Sequence, residues 1–147
     1  MSYDRREFII VALVDLSKGI EGVKSVSRNR VQVSAAQRPA VVVLDGDEEG
    51  ALGSFALGRP GAAPGIMRMR PEVCVLTSGN ALGTDLNTFR LKMINAVLEN
   101  DDLAGIVTQT GGVQYQGCTT DLGQGRTMEG MMILHFEIHY PLLAAEL

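Results

Sequence analysis

The spacing of apolar residues predicts a helix near the start of the chain. Its apolar side chains recur every three or four residues, as expected for one buried helix face: Ile9, Leu13, Leu16 and Ile20. Asp4 and Glu7 form a capping arrangement for its N-terminus, and the glycines near position 20 mark its end. Phe8 and Val11 extend the apolar surface around the first turns, which is typical of a helix that also contributes to an interface.

A second stretch with the same spacing predicts an amphipathic helix in the second half of the chain. Its apolar residues share one face: Leu86, Phe89, Met93, Ile94 and Val97. Thr84 is the expected N-cap, and the polar run Asn100–Asp102 is expected to end the helix.

Three segments between these helices have the patterns of strands. Val23–Val33 predicts a weak hairpin that turns at Arg28–Arg30, and Arg38–Leu44 predicts a strand buried on both faces. Ile66–Thr77 predicts a long strand in which methionines at 67 and 69 alternate with arginines at 68 and 70. Pro71 places an edge position or a bulge within that strand.

Two further strands are predicted near the end of the chain, at Val113–Thr119 and Met128–Tyr140, with a hairpin tip at Asp121–Arg126. Neighbouring strands joined as hairpins predict a largely antiparallel sheet, and the sheet packs against the two helices. The fold class is therefore α+β, with one domain spanning residues 1–147.

The segment Asp45–Gly65 is long, begins with carboxylates and continues with glycine, alanine and proline. Connections in compact domains usually take about 4–6 residues, and much longer loops tend to be functional or disordered. We therefore expect residues 45–65 to form a protruding flexible loop that contacts other molecules.

Composition narrows the classes of function. The chain has 147 residues, a net charge of −4 and 46% hydrophobic residues, which suit one globular domain without affinity for nucleic acid. The first residues lack a secretory pattern, so a cytosolic protein is expected. Cys74 and Cys118 are then predicted to be buried free thiols.

The sharpest candidate for chemistry is the sequence HFEIH, in which His135, Glu137 and His139 point to one face of a strand. Such a set suits zinc or iron, but alternate side chains on one strand lie about 6–7 Å apart, and other strands would have to complete the site. We interpret the three residues as a polar strand face and predict no metal, cofactor or catalytic residue.

The order of elements and several local stretches together resemble a known family. The stretches are RPAVVVLDGDEE, RMRPEVCVL, FRLKMINAVLENDDLAGIV, GGVQYQGC and MMILHFEIHYPL, and the likeness extends from about Arg5 to Leu142. In these features the chain resembles the tail terminator proteins of tailed bacteriophages, which close the head-proximal end of the tail tube.

The resemblance implies a structural virion protein that is not an enzyme. It would form a hexameric ring that caps the tail tube, ends tube polymerisation and provides the head–tail joining surface. Its partners would be other copies of itself, the tube protein, a neck or head-completion protein and, in a contractile tail, the sheath; viral DNA would pass through the lumen without specific binding. Its location would be the virion tail, after assembly in the host cytoplasm. Two alternatives remain: another neck component, or a small metal-dependent enzyme that uses HFEIH.

Charged and aromatic residues in and around the predicted loop are the candidate interface residues: Asp47, Glu48, Glu49, Phe55, Arg59, Arg68, Arg70 and Arg126. Arg68 and Arg70 share a strand face, and the acidic loop of a neighbouring subunit is expected to meet them.

Overall fold

The computed structural model describes residues 4–30, 33–51, 65–79, 81–108, 111–123 and 129–142. Two long helices and one short helix lie on one face of a sheet, which confirms the α+β fold class. The helices are α1 (Arg5–Lys18), α2 (Leu82–Leu98) and α3 (Asp101–Ile106). The strands are β1 (Ser25–Arg28), β2 (Ala40–Gly50), β3 (Ile66–Ser78), β4 (Val113–Gly123) and β5 (Glu129–Pro141).

Within the described residues, five strands form one sheet in the order β1-β2-β3-β5-β4. All neighbours are antiparallel except β1 and β2, which are parallel, with Ser25 opposite Ala40. The predicted hairpin at Val23–Val33 is therefore wrong. A single 3₁₀ turn, Ala35–Gln37, helps to carry the chain from the end of β1 to the start of β2, so that the two strands run in the same direction.

A bulge interrupts the pairing of β2 with β3 between Leu44 and Asp47. Gly46 has a φ of +69°, and a Cβ atom at this position would lie 2.0 Å from the carbonyl oxygen of Arg70. Pro71, which lacks an amide donor, follows Arg70 in β3 and stands opposite the bulge. Of the two alternatives that Pro71 predicted, the bulge is found, whereas β3 pairs on both sides and is not an edge strand.

The main core lies between the helices and one face of the sheet. Its largest fully buried side chains come from all layers: Phe136, Ile9, Ile10, Leu13, Met69, Leu86, Met93 and Leu103. The alternation in β5 is regular, because Leu134, Phe136, Ile138 and Tyr140 are buried on the helix side. The apolar helix faces read from the sequence are thus the faces that pack on the sheet.

The predicted cap of α2 is wrong. The helix begins at Leu82 after Ala81, which makes no side-chain capping hydrogen bond, and Thr84 lies within the first turn. Asn100 follows α2 as predicted, but it also begins α3, because its side chain accepts a hydrogen bond from the Leu103 amide at 2.9 Å. At the N-terminus of α1, Asp4 accepts hydrogen bonds from the amides of Arg6 and Glu7, as predicted.

Strand β2 continues through Gly50, so the predicted loop boundary at Asp45 is wrong. The hairpin of β2 and β3 remains closed at Ala51, whose amide donates to the carbonyl of Ile66 at 2.9 Å. Residues 52–64, with Phe55 and Arg59, lie outside the described residues, as does Arg126 in the predicted β4–β5 tip.

Candidate interaction surfaces

The sheet face opposite the helices has a charged half, built where β2, β3 and β5 run side by side. Glu49 of β2 and His139 of β5 are the cross-strand partners of Arg68. Arg68 forms an ion pair with Glu49, and Nη2 of Arg70 contacts the same carboxylate at 2.7 Å. These hydrogen bonds lower the pKa of Glu49 below its usual value. One carboxylate therefore neutralises part of the charge of two arginines.

Glu137 lies at the centre of the charged half, with only 15% of its side chain exposed. One carboxylate oxygen is 3.1 Å from Nε of Arg68 and 3.5 Å from Nε2 of His139. The other oxygen accepts a hydrogen bond from Gln116 at 3.0 Å. Both oxygens of this carboxylate therefore have a partner within the chain.

The HFEIH residues share a strand face, as predicted, but they are not arranged as a metal site. His135 interacts with the Thr119 hydroxyl at 3.1 Å, whereas Glu137 and His139 contact each other. Among the described residues there is no cluster of three or more histidine, cysteine or carboxylate side chains with a geometry suited to a metal ion. A metal at Glu137 would also have to compete with the guanidinium group of Arg68.

The acidic start of the predicted loop is paired within the chain. Glu48 accepts a hydrogen bond from the Tyr140 hydroxyl at 2.6 Å and lies 3.6 Å from Nε of Arg6. Burial, and the hydrogen bond to Glu48, raise the pKa of Tyr140. Asp47 is exposed and lines a groove of about 370 Å³ beside Arg70.

A second ion-pair cluster joins α1 to the sheet. Arg28 donates to Asp45 at 2.6 and 2.8 Å and to Glu7 at 2.7 and 3.0 Å. These hydrogen bonds lower the pKa of Asp45 and of Glu7 and raise that of Arg28. Two carboxylates thus hold the guanidinium in place, and Glu7 acts here as an ion-pair partner in addition to its position in the first turn of α1.

Glu49 of the same chain pairs with both Arg68 and Arg70, and the intermolecular role expected of the two arginines stays a prediction. Treating residues 45–65 as a loop concealed this pairing. The sequence does contain a signal for it, since acids precede the Gly/Pro-rich segment and arginines follow it at mirror positions of a hairpin.

The other half of the open sheet face is apolar. It forms a shallow groove of about 230 Å³, lined by Arg30, Val42, Leu44, Cys74, Leu76, Met131 and Ile133. Val42 and Cys74 are buried, as expected for a strand that is apolar on both faces, whereas Leu44, Leu76 and Ile133 are half-buried. Sequence reasoning did not identify this surface as a site.

The two cysteines differ in exposure. Burial raises the pKa of Cys74 to about 11, which keeps it a neutral thiol. Cys118 is exposed on β4, so the prediction that both thiols are buried is wrong for this residue. It lies on the edge strand of the sheet, where only one side is paired.

A larger groove of about 500 Å³ lies between α1 and α3 on the helix side. Phe8 is 50% exposed and Val11 is 42% exposed along it. Its rim carries three carboxylates, which belong to Asp15, Asp101 and Asp102. The apolar surface of α1 thus extends beyond the core, as its sequence predicted.

Comparison with known proteins leaves the function to be argued from these surfaces, because no family model matches the chain and no curated protein matches its sequence. None of the helices in the described residues has both the length and the apolar character that a membrane span requires.

Proposed function

We propose that this chain is a tail terminator of a tailed bacteriophage, a structural subunit whose hexameric ring caps the head-proximal end of the tail tube. The resemblance of its element order and local sequence to that family, from about Arg5 to Leu142, is one support. In this role the ring ends tube polymerisation and offers the surface to which the head is joined.

The observation that carries the proposal is the presence of apolar surface on both outer faces of one small domain. Phe8 and Val11 are 50% and 42% exposed on the helix side. Leu44, Leu76 and Ile133 line a groove on the opposite face of the sheet. Contiguous exposed apolar surface is typical of interaction sites, and a ring subunit has a neighbour on each of two sides.

A structural role rather than an enzymatic one is supported by the charged half of the sheet face. Its charged groups form ion pairs, and Glu137 in particular is engaged by Arg68 and Gln116, although Nε of Arg68 and Nε2 of His139 make no hydrogen bond within the described residues. A general base or a metal ligand needs a lone pair that is available to substrate or ion. Such pairing instead stiffens a surface that other proteins contact.

The partners of the proposed ring are the tube protein on one side and a neck or head-completion protein on the other, with the sheath as a further neighbour in a contractile tail. Viral DNA passes through the lumen without specific binding. The net charge of −4 supports passage over retention, because a basic surface would hold the phosphate backbone.

A direct test mixes the purified protein with tail tubes polymerised from the tube protein of the same phage. Electron microscopy of negatively stained tubes should show added density at one end of each tube, and capped tubes should stop growing when more tube protein is supplied. Tubes that continue to grow at both ends, with the protein absent from them, would contradict the proposal.

A further inference from the structure

We infer that the groove between α1 and α3 of one subunit receives the apolar half of the open sheet face of the next subunit. This inference rests on the proposed ring, in which these two surfaces form the contact between neighbouring subunits.

The two surfaces match in apolar character. The groove has Val11, Ala12 and Ile106 along its walls, and Phe8 stands at its side. On the sheet face, Leu44, Leu76, Met131 and Ile133 surround buried Val42 and Cys74 and form a shallow apolar surface. Burying apolar side chains contributes about 25 cal/mol of favourable free energy for each Å² removed from water. Contact between the two surfaces therefore stabilises the assembly.

The two surfaces also match in charge. Three carboxylates line the groove. Within the described residues, the one ion pair that they form joins Asp15 to Lys18 at 4.0 Å. Arg30 is exposed at the border of the apolar sheet face. A cation beside one apolar surface and carboxylates beside the other favour contact between unlike surfaces over contact between like ones.

The placement of the two surfaces determines the kind of assembly. The groove between α1 and α3 belongs to the helix layer. The apolar half of the open sheet face lies on the opposite side, because Val42 and Cys74 alternate with the core residues Val43 and Val73. One subunit therefore uses different surfaces toward its two neighbours. Such a heterologous contact closes into a ring when the rotation between neighbours allows it, and the proposed ring requires that rotation.

The groove is preformed and does not need the partner to shape it. Nη1 of Arg5 donates to the carbonyl of Ile106 at 3.2 Å, which fixes the last turn of α3 against the start of α1. A preformed site avoids part of the ordering cost of association.

The experiment uses two charge-reversed variants of the full chain, one on each surface. The first carries Asp15→Lys and Asp102→Lys, and the second carries Arg30→Glu. In sedimentation velocity the wild type should associate as its concentration rises toward about 1 mM, and each variant alone should show at least about tenfold weaker association.

Mixing the two variants should restore association. The basic groove of the first variant meets the acidic sheet face of the second. In the other contact, the acidic groove of the second variant meets Arg30 of the first, as in the wild type. The matched controls are Glu21→Lys and Lys24→Glu, which make the same changes at exposed positions away from both surfaces. Thermal unfolding confirms that all variants are folded before they are mixed.

Each remaining outcome counts against the inference. A wild type that is monomeric throughout, variants that associate like wild type, or folded variants whose mixture stays dissociated would overturn the named contact. Tube capping by such a protein would leave the proposed function standing on other contacts. Restored association without tube capping would instead refute the proposed function and keep the contact.

Discussion

At the scale of single residues, Gly46 is a position at which the fold accepts only glycine. Its φ of +69° lies in the left-handed region, and the Arg70 carbonyl occupies the space that a Cβ atom would need, at 2.0 Å. The carbonyl belongs to the neighbouring backbone, so a rotamer change cannot relieve the overlap. The bulge of β2 therefore depends on this glycine.

Gly46→Ala should lower the free energy of unfolding by about 2 kcal/mol or more, because both backbone strain and a clash with backbone result. Gly79→Ala is the matched control, since Gly79 also has a positive φ but has no atom within 4 Å of the added Cβ. Urea unfolding measures both. Equal losses in the two variants would show that the clash at Gly46 does not matter.

Asp45 should make stability depend on pH. Arg28 lowers its pKa in the folded state, so the stabilisation is complete above the unfolded pKa of about 3.9 and is lost as the pH falls through the folded value. Asp45→Asn should therefore be less stable than wild type by about 1–2 kcal/mol at pH 7.

The same comparison at lower pH provides the check. The difference between Asp45→Asn and wild type should stay constant from about pH 7 to 5 and shrink below about pH 4. Asp121→Asn, at an exposed position of β4, is the control and should stay within about 0.5 kcal/mol of wild type. A difference that does not change with pH would contradict the role given to the Arg28 ion pair.

At the scale of elements, the sequence predicted what depends on local pattern. The alternation of buried and half-buried residues in β5 and the apolar face of α2 depend on residues close together in sequence, and both are found in the structure. The parallel pairing of β1 was missed because Ser25 bonds to a strand that starts at Ala40, and no local pattern encodes that choice. Thr84 was a favourable cap by type, but packing of Leu82 starts the helix earlier.

In the charged half of the sheet face, too, local features could be predicted from the sequence and long-range contacts could not. The shared strand face of His135, Glu137 and His139 followed from strand geometry. Their partners depend on which strands are neighbours. Thr119 contacts His135, and both Gln116 and Arg68 contact Glu137. The acids at 48 and 49 were assigned to a loop because glycine and aspartate weaken a strand pattern. The ion pairs of Glu49 with β3, and the contacts of Glu48 with Tyr140 and Arg6, compensate for that weakness.

Two deletions in the β2–β3 hairpin should separate its strand part from the rest. Replacing residues 52–64 with a short Gly-Ser linker should leave the thermal midpoint nearly unchanged, because the ladder stays closed at Ala51 and Ile66. Replacing residues 47–64 also removes Glu48 and Glu49, which leaves Tyr140, Arg68 and Arg70 without these partners. This longer deletion should lower the thermal midpoint clearly more than the shorter one, because the buried Tyr140 hydroxyl loses its acceptor.

Thermal unfolding of both deletion variants measures how much each part of the hairpin contributes to stability. Similar midpoints would mean that the ion pairs of the charged half contribute little to stability. If the shorter deletion unfolds the protein, residues 52–64 belong to the core and the contact role expected for them loses its support. A folded shorter deletion that enters tails poorly would agree with that contact role.

At the scale of the whole molecule, the domain is asymmetric in a way that suits a closed assembly. The helix layer carries a groove lined by carboxylates, and the opposite sheet face carries a shallow apolar groove beside Arg30. Between them, ion pairs such as Arg28 with Asp45 hold α1, β1 and β2 together. Two unlike surfaces on one subunit allow head-to-tail contacts, which close into a ring when the rotation between neighbours allows it.

The central claim is that this protein ends tail-tube growth, and tail length measures it most directly. Tails assembled in cells that lack the protein should exceed the normal length or remain unjoined to heads in electron micrographs, and supplying the wild-type protein should restore both features. Tails of normal length that join heads in the complete absence of the protein would contradict the account.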